Sequence, residues 1–390
     1  MSIITSLLDQ DLYSFTQGQC ILHQFAGCIV EYKFKCRTPG INIVQYLDEI
    51  KYEVEQWCNL KFTKSELEYL KTIHYLKSDY IEYLRNFQPN YENIRVSGVE
   101  TDSLESFDLT ISGPWITTIY AEVPLLAIVN EVYFSHADKA KLDIDGPLKA
   151  KIDYIKNNTD SGFKFMDFGT RRRFSKQVHA YIVAHLKREL PENLIGTSNV
   201  LLAKDYNLTP RGTMSHQLMM GCQSLVRISE SQKFAFQKWS DEYRGNLGIA
   251  LSDTLGMDAF FKDFDLYFSK LFSGARQDSG DPYLWCEKLI AHYEKLKIDP
   301  RTKTAVFSDG LTAQTATDIY NKFKGKIDMS FGIGTSITND CGFEPIQIVI
   351  KLTRANGQDV AKLSDSPGKQ MCENANYLKY LKQQFQIKES

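Results

Sequence analysis

Asn193-Leu-Ile-Gly-Thr-Ser-Asn-Val-Leu-Leu202 is the stretch from which the fold of this chain is predicted. It begins as an apolar strand-like segment, turns at a Gly-Thr corner, and continues as an apolar helix-like segment. A second Gly-Thr corner follows in Pro210-Arg-Gly-Thr-Met-Ser-His216, where it places one histidine at the start of a new helix. Loops that present polar side chains from a rigid, buried support often carry the chemistry of a protein. The two corners therefore predict that His216 lies at the centre of the functional site.

The strand, corner and helix of this stretch belong to a series that runs from about residue 160 to residue 334. Such repetition predicts parallel strands joined by crossover helices. This many units suit an α/β fold with an irregular (β/α) barrel over residues 126–344. In that fold the reactive loops lie at the carboxyl ends of the strands. The polar residues found at those ends are Asp167, Thr170, Arg171, Thr197, Asp253, Arg276, Asp278, Asp309 and Thr335.

Both ends of the chain have a different character and predict a second, α+β domain. Residues 1–125 would form most of this domain, and residues 345–390 would complete it. Residues 346–363 have the pattern of a hairpin around an Asn-Gly turn, and residues 372–386 have the pattern of a closing helix. Because a hairpin does not continue a barrel, we expect it to rejoin the N-terminal domain.

Within the N-terminal part, residues 42–60 and 64–86 have the periodicity of amphipathic helices. Thr63-x-x-Glu66 is a capping box, which predicts that the second of these helices begins there. Residues 108–119 are expected to form two strands joined at a Gly-Pro pair. A proline in the first turn predicts that a further helix begins at Glu122.

The bulk composition excludes several classes of protein. With 43% hydrophobic and 24% charged residues, the chain has the composition of a globular protein. Its net charge of −2 argues against a nucleic-acid partner, so local charges must hold any anionic ligand. No apolar run reaches the ~18 residues of a membrane span, and the first residues lack a signal core. None of the eight cysteines forms a Cys-x-x-Cys pair, and we expect free thiols in a reducing cytoplasm.

Phe331-Gly-Ile-Gly-Thr-Ser336 follows the last strand of the series and predicts a phosphate site. Gly332, Gly334 and Thr335 offer backbone N–H groups without bulky side chains, and such a nest suits a phosphate. The alternative is a tight turn that requires glycine for its own geometry. Neighbouring hydroxyl groups and the position late in the series favour phosphate.

Asp278 and Asp309 follow neighbouring strands of the series. Carboxylates at strand ends bind ribose hydroxyls or, directly or through water, Mg²⁺. Helix capping is the competing interpretation, which we accept for Asp281 because it directly precedes a proline. For the other two aspartates we favour contact with a ligand.

Arg171 is the first of three arginines after Asp167-Phe-Gly-Thr170. Such a run is usually a solvated basic patch, but at a strand end we expect Arg171 to face an anion. Aromatic side chains such as Tyr13 and Phe168 usually belong to the core. For His216 the residues alone leave three roles open: a capping or packing histidine, a general base, or a nucleophile that is phosphorylated on nitrogen.

Taken in order, the motifs of the chain resemble those of the nicotinate phosphoribosyltransferase family, and the likeness extends over the whole chain. The resemblance implies a type II phosphoribosyltransferase fold, in which an irregular α/β barrel is joined to an α+β domain built from both chain ends. The matching elements are Asp-x-Tyr13, Asp-Phe-Gly-Thr-Arg171-Arg, Gly-Thr-Ser-Asn199, Gly-Thr-Met-Ser-His216, Arg276-x-Asp-Ser-Gly-Asp281, Ser-Asp-Gly310, Phe-Gly-Ile-Gly-Thr335 and Lys-Leu-Ser-Asp-Ser-Pro-Gly368.

The resemblance also implies a reaction. Nicotinate and 5-phosphoribosyl 1-pyrophosphate would give nicotinate mononucleotide and pyrophosphate, a step of NAD biosynthesis that requires Mg²⁺. Hydrolysis of ATP would be coupled to this glycosyl transfer, as in a ligase. The histidine of the Gly-Thr-Met-x-His element, His216 in this chain, would be the residue that ATP phosphorylates.

The same resemblance assigns residues to the substrates. Tyr13 and Phe168 would sandwich the nicotinate ring, and in a homodimer Tyr13 would do so for the neighbouring subunit. Arg276 would bind the nicotinate carboxylate, with Arg171 beside that pocket. Two further residues, Thr213 and Ser198, would assist Arg276. The phosphoribosyl group would be held by Asp278, Asp309, Gly332, Gly334 and Thr335.

Ser198 bears on substrate choice, since the relative that uses nicotinamide has an aspartate at this position. A carboxylate there accepts a hydrogen bond from the amide and repels an acid. Serine removes that repulsion, so we expect this chain to prefer nicotinate. The competing interpretations are a nicotinamide phosphoribosyltransferase, a barrel enzyme acting on another sugar phosphate, and a ligand-binding protein that retains the fold.

Overall fold

The computed structural model describes residues 2–101, 104–366, 369–370, 372 and 374–387. Pro367 and Gly368, at the end of the last matching motif, lie outside the described residues. The strands are β1 (Ile29–Cys36), β2 (Ile94–Thr101), β3 (Leu104–Pro114), β4 (Phe165–Asp167), β5 (Leu194–Thr197), β6 (Ile249–Leu251), β7 (Gly274–Gln277), β8 (Thr304–Phe307), β9 (Asp328–Ile333), β10 (Ile348–Ala355) and β11 (Gln358–Asp359). The α-helices are α1 (Leu12–Gln24), α2 (Leu47–Cys58), α3 (Lys64–Lys71), α4 (Ser78–Asn86), α5 (Trp115–Thr118), α6 (Glu122–Ser135), α7 (Asp145–Asn158), α8 (Lys176–Glu189), α9 (Val200–Asp205), α10 (His216–Gly221), α11 (Ser231–Tyr243), α12 (Met257–Asp263), α13 (Leu266–Leu271), α14 (Pro282–Lys295), α15 (Ala313–Phe323), α16 (Thr335–Thr338) and α17 (Ala375–Gln384).

Six parallel strands, β4 to β9, form the sheet of the barrel, so the predicted α/β class is confirmed. Their hydrogen-bonded order is β5-β4-β9-β8-β7-β6. Because β9 pairs with β4, the strands follow one another around a ring in chain order, as a (β/α) barrel requires. The barrel is irregular because the ring is open between β5 and β6.

The opening between β5 and β6 is where the two Gly-Thr corners meet. A single parallel bridge between Thr197 and Pro210 extends β5, and the chain then enters α10 at His216. Gly196 is required at this contact, because a Cβ there would lie 2.2 Å from the carbonyl oxygen of Thr209. The two corners predicted from the sequence are therefore packed together at the carboxyl end of β5.

Five antiparallel strands form a second sheet in the order β11-β10-β1-β3-β2. β10 pairs with β1 along residues 30–36, so the C-terminal hairpin rejoins the N-terminal part of the chain, as expected. Its turn is Asn356-Gly357, with φ values of 48° and 77°, a conformation that asparagine and glycine favour. The sheet thus combines both chain ends, while the domain boundaries near residues 125 and 345 stay a prediction.

The single helix predicted over residues 64–86 is wrong, because the structure has two helices, α3 and α4, with an interruption between them. The capping box predicted at its start is present. Gln19 of α1 accounts for the interruption. Its side chain donates to the Tyr75 carbonyl at 3.0 Å and accepts from the Lys77 N–H at 2.6 Å. Backbone groups that a continuous helix would pair internally are thus satisfied by α1.

The Gly-Pro pair at residues 113–114 does not join two strands as expected, because β3 ends there and helix α5 follows. Proline at the strand end has no N–H to continue the ladder. The next N–H, that of Trp115, donates to the Cys28 carbonyl at 2.8 Å, and the Thr118 hydroxyl donates back to the Pro114 carbonyl at 3.1 Å. These contacts turn the chain into a helix whose tryptophan is fully buried.

Residues 115–135, which comprise α5 and α6, are the one stretch of the described chain that is long and apolar enough to cross a membrane. In its most apolar window, 94% of the residues are buried inside the protein. The stretch is therefore part of the core. As predicted, α6 begins at Glu122 with a proline in its first turn.

Candidate active site

A cavity of about 460 Å³ opens at the carboxyl ends of the barrel strands, where they meet α1, α10 and β10. All but one of the residues assigned from the sequence line this cavity, although they come from distant parts of the chain. They are Tyr13, Phe168, Arg171, Ser198, Thr213, His216, Arg276, Asp278, Gly332, Gly334 and Thr335. The exception is Asp309. The structure thus brings the assigned residues together, while the role of each stays a prediction.

The N-terminal segment lies across the first Gly-Thr corner and thereby places Tyr13 in the cavity. The Leu12 N–H donates to the Ser198 carbonyl at 2.8 Å, and Asp11 forms an isolated antiparallel bridge with Asn199. Tyr13 therefore lines the cavity of its own chain, while its expected role toward a neighbouring subunit stays a prediction. The homodimer itself stays a prediction.

Phe168 follows β4 and lies against β9, where two glycines make room for it. A Cβ on Gly332 would lie 2.3 Å from the Phe168 ring, and a Cβ on Gly334 would lie 2.9 Å from the Phe168 carbonyl oxygen. Close packing therefore requires glycine at both positions, in addition to any role in binding phosphate. Gly334 is followed directly by α16, and the N–H groups in the first turn of a helix have no partner within that helix. The nest predicted from the sequence is thus compatible with both interpretations.

Asp167 is fully buried beneath the cavity and joins its loops. Its carboxylate accepts hydrogen bonds from His179 Nε2 at 2.7 Å, from Thr197 Oγ1 at 2.6 Å and from the Gly169 N–H at 2.9 Å. Burial opposes ionisation of this carboxyl, but the interactions with His179 and Thr197 lower its pKa. Asp167 thus holds the loop of Phe168 against the first Gly-Thr corner.

The consecutive arginines after β4 have different roles. Arg173 is buried and forms an ion pair with Asp9 at 2.6 Å, so it is structural. Arg171 reaches the cavity, where its guanidinium lies 3.5 Å from the carboxylates of both Asp11 and Glu122. Arg171 therefore faces the cavity as expected, but two carboxylates of the protein already share its charge.

His216 is the first residue of α10, as the second corner predicts, and a buried aspartate holds its imidazole. Nε2 lies 2.8 Å from Asp253 Oδ1 and 3.6 Å from Asp278 Oδ2. The other oxygen of Asp253 accepts from Lys362 Nζ at 2.6 Å and from Ser279 Oγ at 2.6 Å. Protein groups therefore occupy both oxygens of Asp253.

The protonation of this pair follows from its surroundings. Burial and the nearby charge of Lys362 lower the pKa of His216 to about 4, so the imidazole is neutral at physiological pH. Burial opposes ionisation of Asp253, yet its interactions with His216 and Lys362 hold its pKa well below the usual value. A neutral imidazole beside an ionised carboxylate donates its single N–H to it. Nε2 is therefore the donor, and Nδ1 keeps a lone pair.

The two carboxylates considered for Mg²⁺ have different surroundings. Asp278 lines the cavity with its side chain 27% exposed. Burial opposes its ionisation, but Arg276 and His216 lower its pKa. Asp309 instead forms an ion pair with Lys369. An ionised and accessible carboxylate suits a hard cation, so these surroundings favour Asp278 over Asp309 as a Mg²⁺ ligand, and both roles stay predictions.

Four cationic side chains line the cavity without an ion-pair partner in the described parts of the chain. For two of them the pKa is lowered: burial and Arg171 lower the pKa of Arg172 to about 10, and burial lowers that of Lys351 to about 8. Within the described residues, the Nε of Arg276 is buried without a hydrogen-bond partner. Because buried cations are costly unless an anion pairs with them, this cavity suits an anionic ligand. The four are Arg172, Arg211, Arg276 and Lys351.

Family comparison gives two matches on the chain. The N-terminal domain of the nicotinate phosphoribosyltransferase (NAPRTase) family matches residues 8–130, and the NAPRTase family itself matches residues 163–389. Among curated proteins, the nicotinate phosphoribosyltransferase of Acidovorax sp. (strain JS42) is 50% identical, over 99% of both chains. That of Burkholderia mallei (strain ATCC 23344) is also 50% identical, over 99% of this chain and 97% of the relative.

Solved structures resemble the whole fold. The crystal structure of nicotinate phosphoribosyltransferase from Vibrio cholerae has a TM-score of 0.94 and 37% identity, covering 100% of this chain and 95% of the other. That from Porphyromonas gingivalis has a TM-score of 0.92 and 32% identity, covering 99% and 100%. The resemblance inferred from the motifs is confirmed by these likenesses. Sequence, fold and cavity agree that the chain belongs to the nicotinate phosphoribosyltransferase family.

Proposed function

We propose that this chain joins nicotinate to 5-phosphoribosyl 1-pyrophosphate and forms nicotinate mononucleotide and pyrophosphate. The observation that carries the proposal is the group of four cations around one cavity that have no ion-pair partner among the described residues. A pyridine carboxylate and a sugar with phosphate and pyrophosphate groups supply the negative charges that these cations lack. Relatives of this name at 50% identity over 99% of the chain support the same assignment.

The nicotinate ring is assigned to the part of the cavity that Tyr13 and Phe168 line. Arg276 is assigned to the ring carboxylate, because its Nε is buried there without a partner and a guanidinium binds a carboxylate through two parallel hydrogen bonds. Thr213, in the second Gly-Thr corner, lines the same cavity. Arg171 lies beside the ring site, with its guanidinium 6.0 Å from the centroid of Tyr13.

The phosphoribosyl group is assigned to Asp278 and to the nest at residues 332–335. Mg²⁺, where bound, would be held by Asp278 together with pyrophosphate oxygens and would neutralise charge on the leaving group. Lys351 and Arg172 supply further positive charge from the protein. His216, Asp253 and Asp278 lie close enough to surround an ion, but Asp253 has no free oxygen for one.

The transfer requires orientation and charge neutralisation rather than proton transfer. The pyridine nitrogen attacks the anomeric carbon of the ribose, and its lone pair forms the new bond. The bond from that carbon to the pyrophosphate oxygen breaks, and its electron pair leaves with pyrophosphate. Because the pyridine nitrogen carries no proton, no general base is needed. The barrier is lowered by the groups that hold the ring and by those that neutralise pyrophosphate.

We further propose that His216 couples ATP hydrolysis to this transfer as a phosphohistidine. Nδ1 attacks the γ-phosphorus of ATP, and ADP leaves with the electrons of the broken P–O bond. Asp253, which already accepts the Nε2–H at 2.8 Å, stabilises the positive charge that the imidazole gains. Lys362 holds Asp253 in place from the other side. Water then hydrolyses the P–N bond and releases phosphate and the neutral imidazole.

Release of pyrophosphate tests the proposed reaction. With phosphoribosyl pyrophosphate and Mg²⁺, the purified protein is expected to release pyrophosphate in the presence of nicotinate, faster with ATP, and far more slowly with nicotinamide. Turnover with neither base would contradict the proposal and favour a ligand-binding protein. A preference for nicotinamide would favour a nicotinamide phosphoribosyltransferase.

Ser198→Asp is expected to lower kcat/KM for nicotinate by about tenfold or more. The new carboxylate would lie beside Asp11, which is 2.6 Å from the Ser198 hydroxyl, and near an acidic substrate. Ser198→Asn has a similar size without the charge and should cost less. Steady-state kinetics on folded variants measure the effect, and unchanged nicotinate kinetics in Ser198→Asp would refute the prediction.

The KM for phosphoribosyl pyrophosphate is expected to rise with pH above about 8, because Lys351 loses its positive charge there. Burial lowers the pKa of Lys351 to about 8. The amine is therefore fully protonated at lower pH and loses its charge as the pH rises through that value. Lys351→Arg keeps its charge at high pH and should flatten the profile. Lys351→Met should raise this KM at every pH, by about tenfold. Steady-state kinetics as a function of pH check this, and an equal rise in wild type and Lys351→Arg would exclude the role.

A further inference from the structure

Ser198 is not available to donate a hydrogen bond to a ligand. Its hydroxyl donates to Asp11 Oδ1 at 2.6 Å, and both side chains are buried. A serine hydroxyl carries one proton, so this contact commits it and leaves only lone pairs for a ligand. Lone pairs suit the N–H of a carboxamide better than a carboxylate. Serine at position 198 therefore does not by itself explain a preference for an acid.

Asp11 places a carboxylate at the same wall of the cavity as Ser198. One of its oxygens accepts from the Ser198 hydroxyl, and the other lies 3.5 Å from Arg171 Nε. Both oxygens are thus engaged, one by a neutral donor and one by a cation. Arg171 is held in turn by Glu122, whose carboxylate lies 3.5 Å from Arg171 Nη1. The guanidinium is therefore fixed between two carboxylates of the protein.

We propose that Asp11 determines which pyridine the site accepts. Its carboxylate is masked, meaning that Ser198 and Arg171 engage both of its oxygens. The site therefore accepts an acidic pyridine in preference to its amide. This inference rests on the assignment of the cavity to nicotinate. A carboxylate with both oxygens engaged repels a neighbouring acid less than a free carboxylate does, and it has less capacity to accept from an amide. Freeing one oxygen of Asp11 would reverse both effects.

Two roles of Ser198 can be distinguished: masking Asp11 and binding nicotinate directly. They predict different changes in nicotinamide use when the hydroxyl is removed. If Ser198 bound the substrate itself, loss of the hydroxyl would weaken nicotinate use without improving nicotinamide use. If Ser198 masks Asp11, loss of the hydroxyl frees Oδ1 to accept from a carboxamide, so nicotinamide use rises while nicotinate use falls. The direction of the change with nicotinamide therefore separates the two roles.

Ser198→Ala provides the test, with kcat/KM measured for both bases at saturating phosphoribosyl pyrophosphate. The ratio of nicotinamide to nicotinate use is expected to rise about tenfold. Ser198→Thr retains the hydroxyl and should keep the wild-type ratio. Asp11→Leu in the Ser198→Ala background removes the freed acceptor oxygen and should abolish the gain with nicotinamide. Thermal melting shows whether each variant is folded, and calorimetric titration with nicotinamide gives the same comparison for binding alone.

An unchanged ratio in Ser198→Ala would overturn the masking role, as would a gain with nicotinamide that survives Asp11→Leu. The wild-type protein separates this failure from a failure of the proposed function. Absence of nicotinate turnover in wild type would overturn the function. Normal wild-type turnover, together with an unchanged ratio in Ser198→Ala, would overturn only the role of Asp11.

Discussion

His216→Asn is expected to abolish phosphoryl transfer from ATP to the protein and to leave a slower, ATP-independent formation of nicotinate mononucleotide. Asparagine has no ring nitrogen with a nucleophilic lone pair, so the labelling of the protein from γ-phosphate-labelled ATP should fall by on the order of 1000-fold. Hydrolysis of ATP should fall with it. Transfer should persist because the pyridine nitrogen needs no base. Acid-labile protein-bound label and nicotinate mononucleotide are measured in parallel.

Asp253→Asn is the matched variant, because it keeps the imidazole of His216 and changes the side chain that holds it, which also pairs with Lys362. An amide can donate to Nε2 and so favour the tautomer with its proton on Nδ1, which removes the nucleophilic lone pair. Labelling should therefore fall in this variant although the histidine is present. Continued labelling of His216→Asn would place the phosphate on another residue. Loss of all transfer in a folded His216→Asn variant would make His216 part of the transfer step itself.

The barrel could be predicted because the strand, corner and helix of each of its units are adjacent in the sequence. Residues 193–202 contain a strand, its corner and its helix within one short segment, and the same order recurs up to Phe331-Gly-Ile-Gly334. The carboxyl ends of parallel strands meet at one face, so residues at those ends could be expected to lie together. The cavity contains the assigned residues from those ends except Asp309.

The partners of these residues could not be predicted, because they come from distant parts of the chain. Lys362 and Lys351 belong to the C-terminal region, which pairs with β1 through β10 and contacts the barrel through bonds such as that from the Leu363 N–H to the Thr254 carbonyl. The contact between Asp11 and Ser198 spans 187 positions in sequence, and no local pattern signals it. Asp253 was recognised as a strand-end residue, but its bond to His216 depends on the opening between β5 and β6. Long-range packing decides which carboxylates are masked and which remain accessible.

Arg276→Met is expected to raise the KM for nicotinate on the order of 100-fold and to affect nicotinamide much less. Hydrogen bonds to charged groups contribute about 1.5–3 kcal/mol, and a loss of about 3 kcal/mol corresponds to roughly 150-fold in affinity. Methionine preserves most of the apolar stem but removes the guanidinium. Its Nε has no partner in the described chain, so the loss should be in ligand binding rather than in folding. Steady-state kinetics at saturating phosphoribosyl pyrophosphate measure it.

Arg276→Lys is the matched variant, since it keeps a positive charge but cannot present the planar fork that binds a carboxylate through two hydrogen bonds. An intermediate KM for nicotinate would show that both charge and geometry contribute. Arg276 also lowers the pKa of Asp278, so the KM for phosphoribosyl pyrophosphate must be measured in the same variants. If that KM rises while the KM for nicotinate stays constant, Arg276 binds the phosphorylated substrate. In that outcome the nicotinate carboxylate requires another cation. Arg211 is the candidate, because it lies between the two Gly-Thr corners and lines the cavity. It has no ion-pair partner in the described chain.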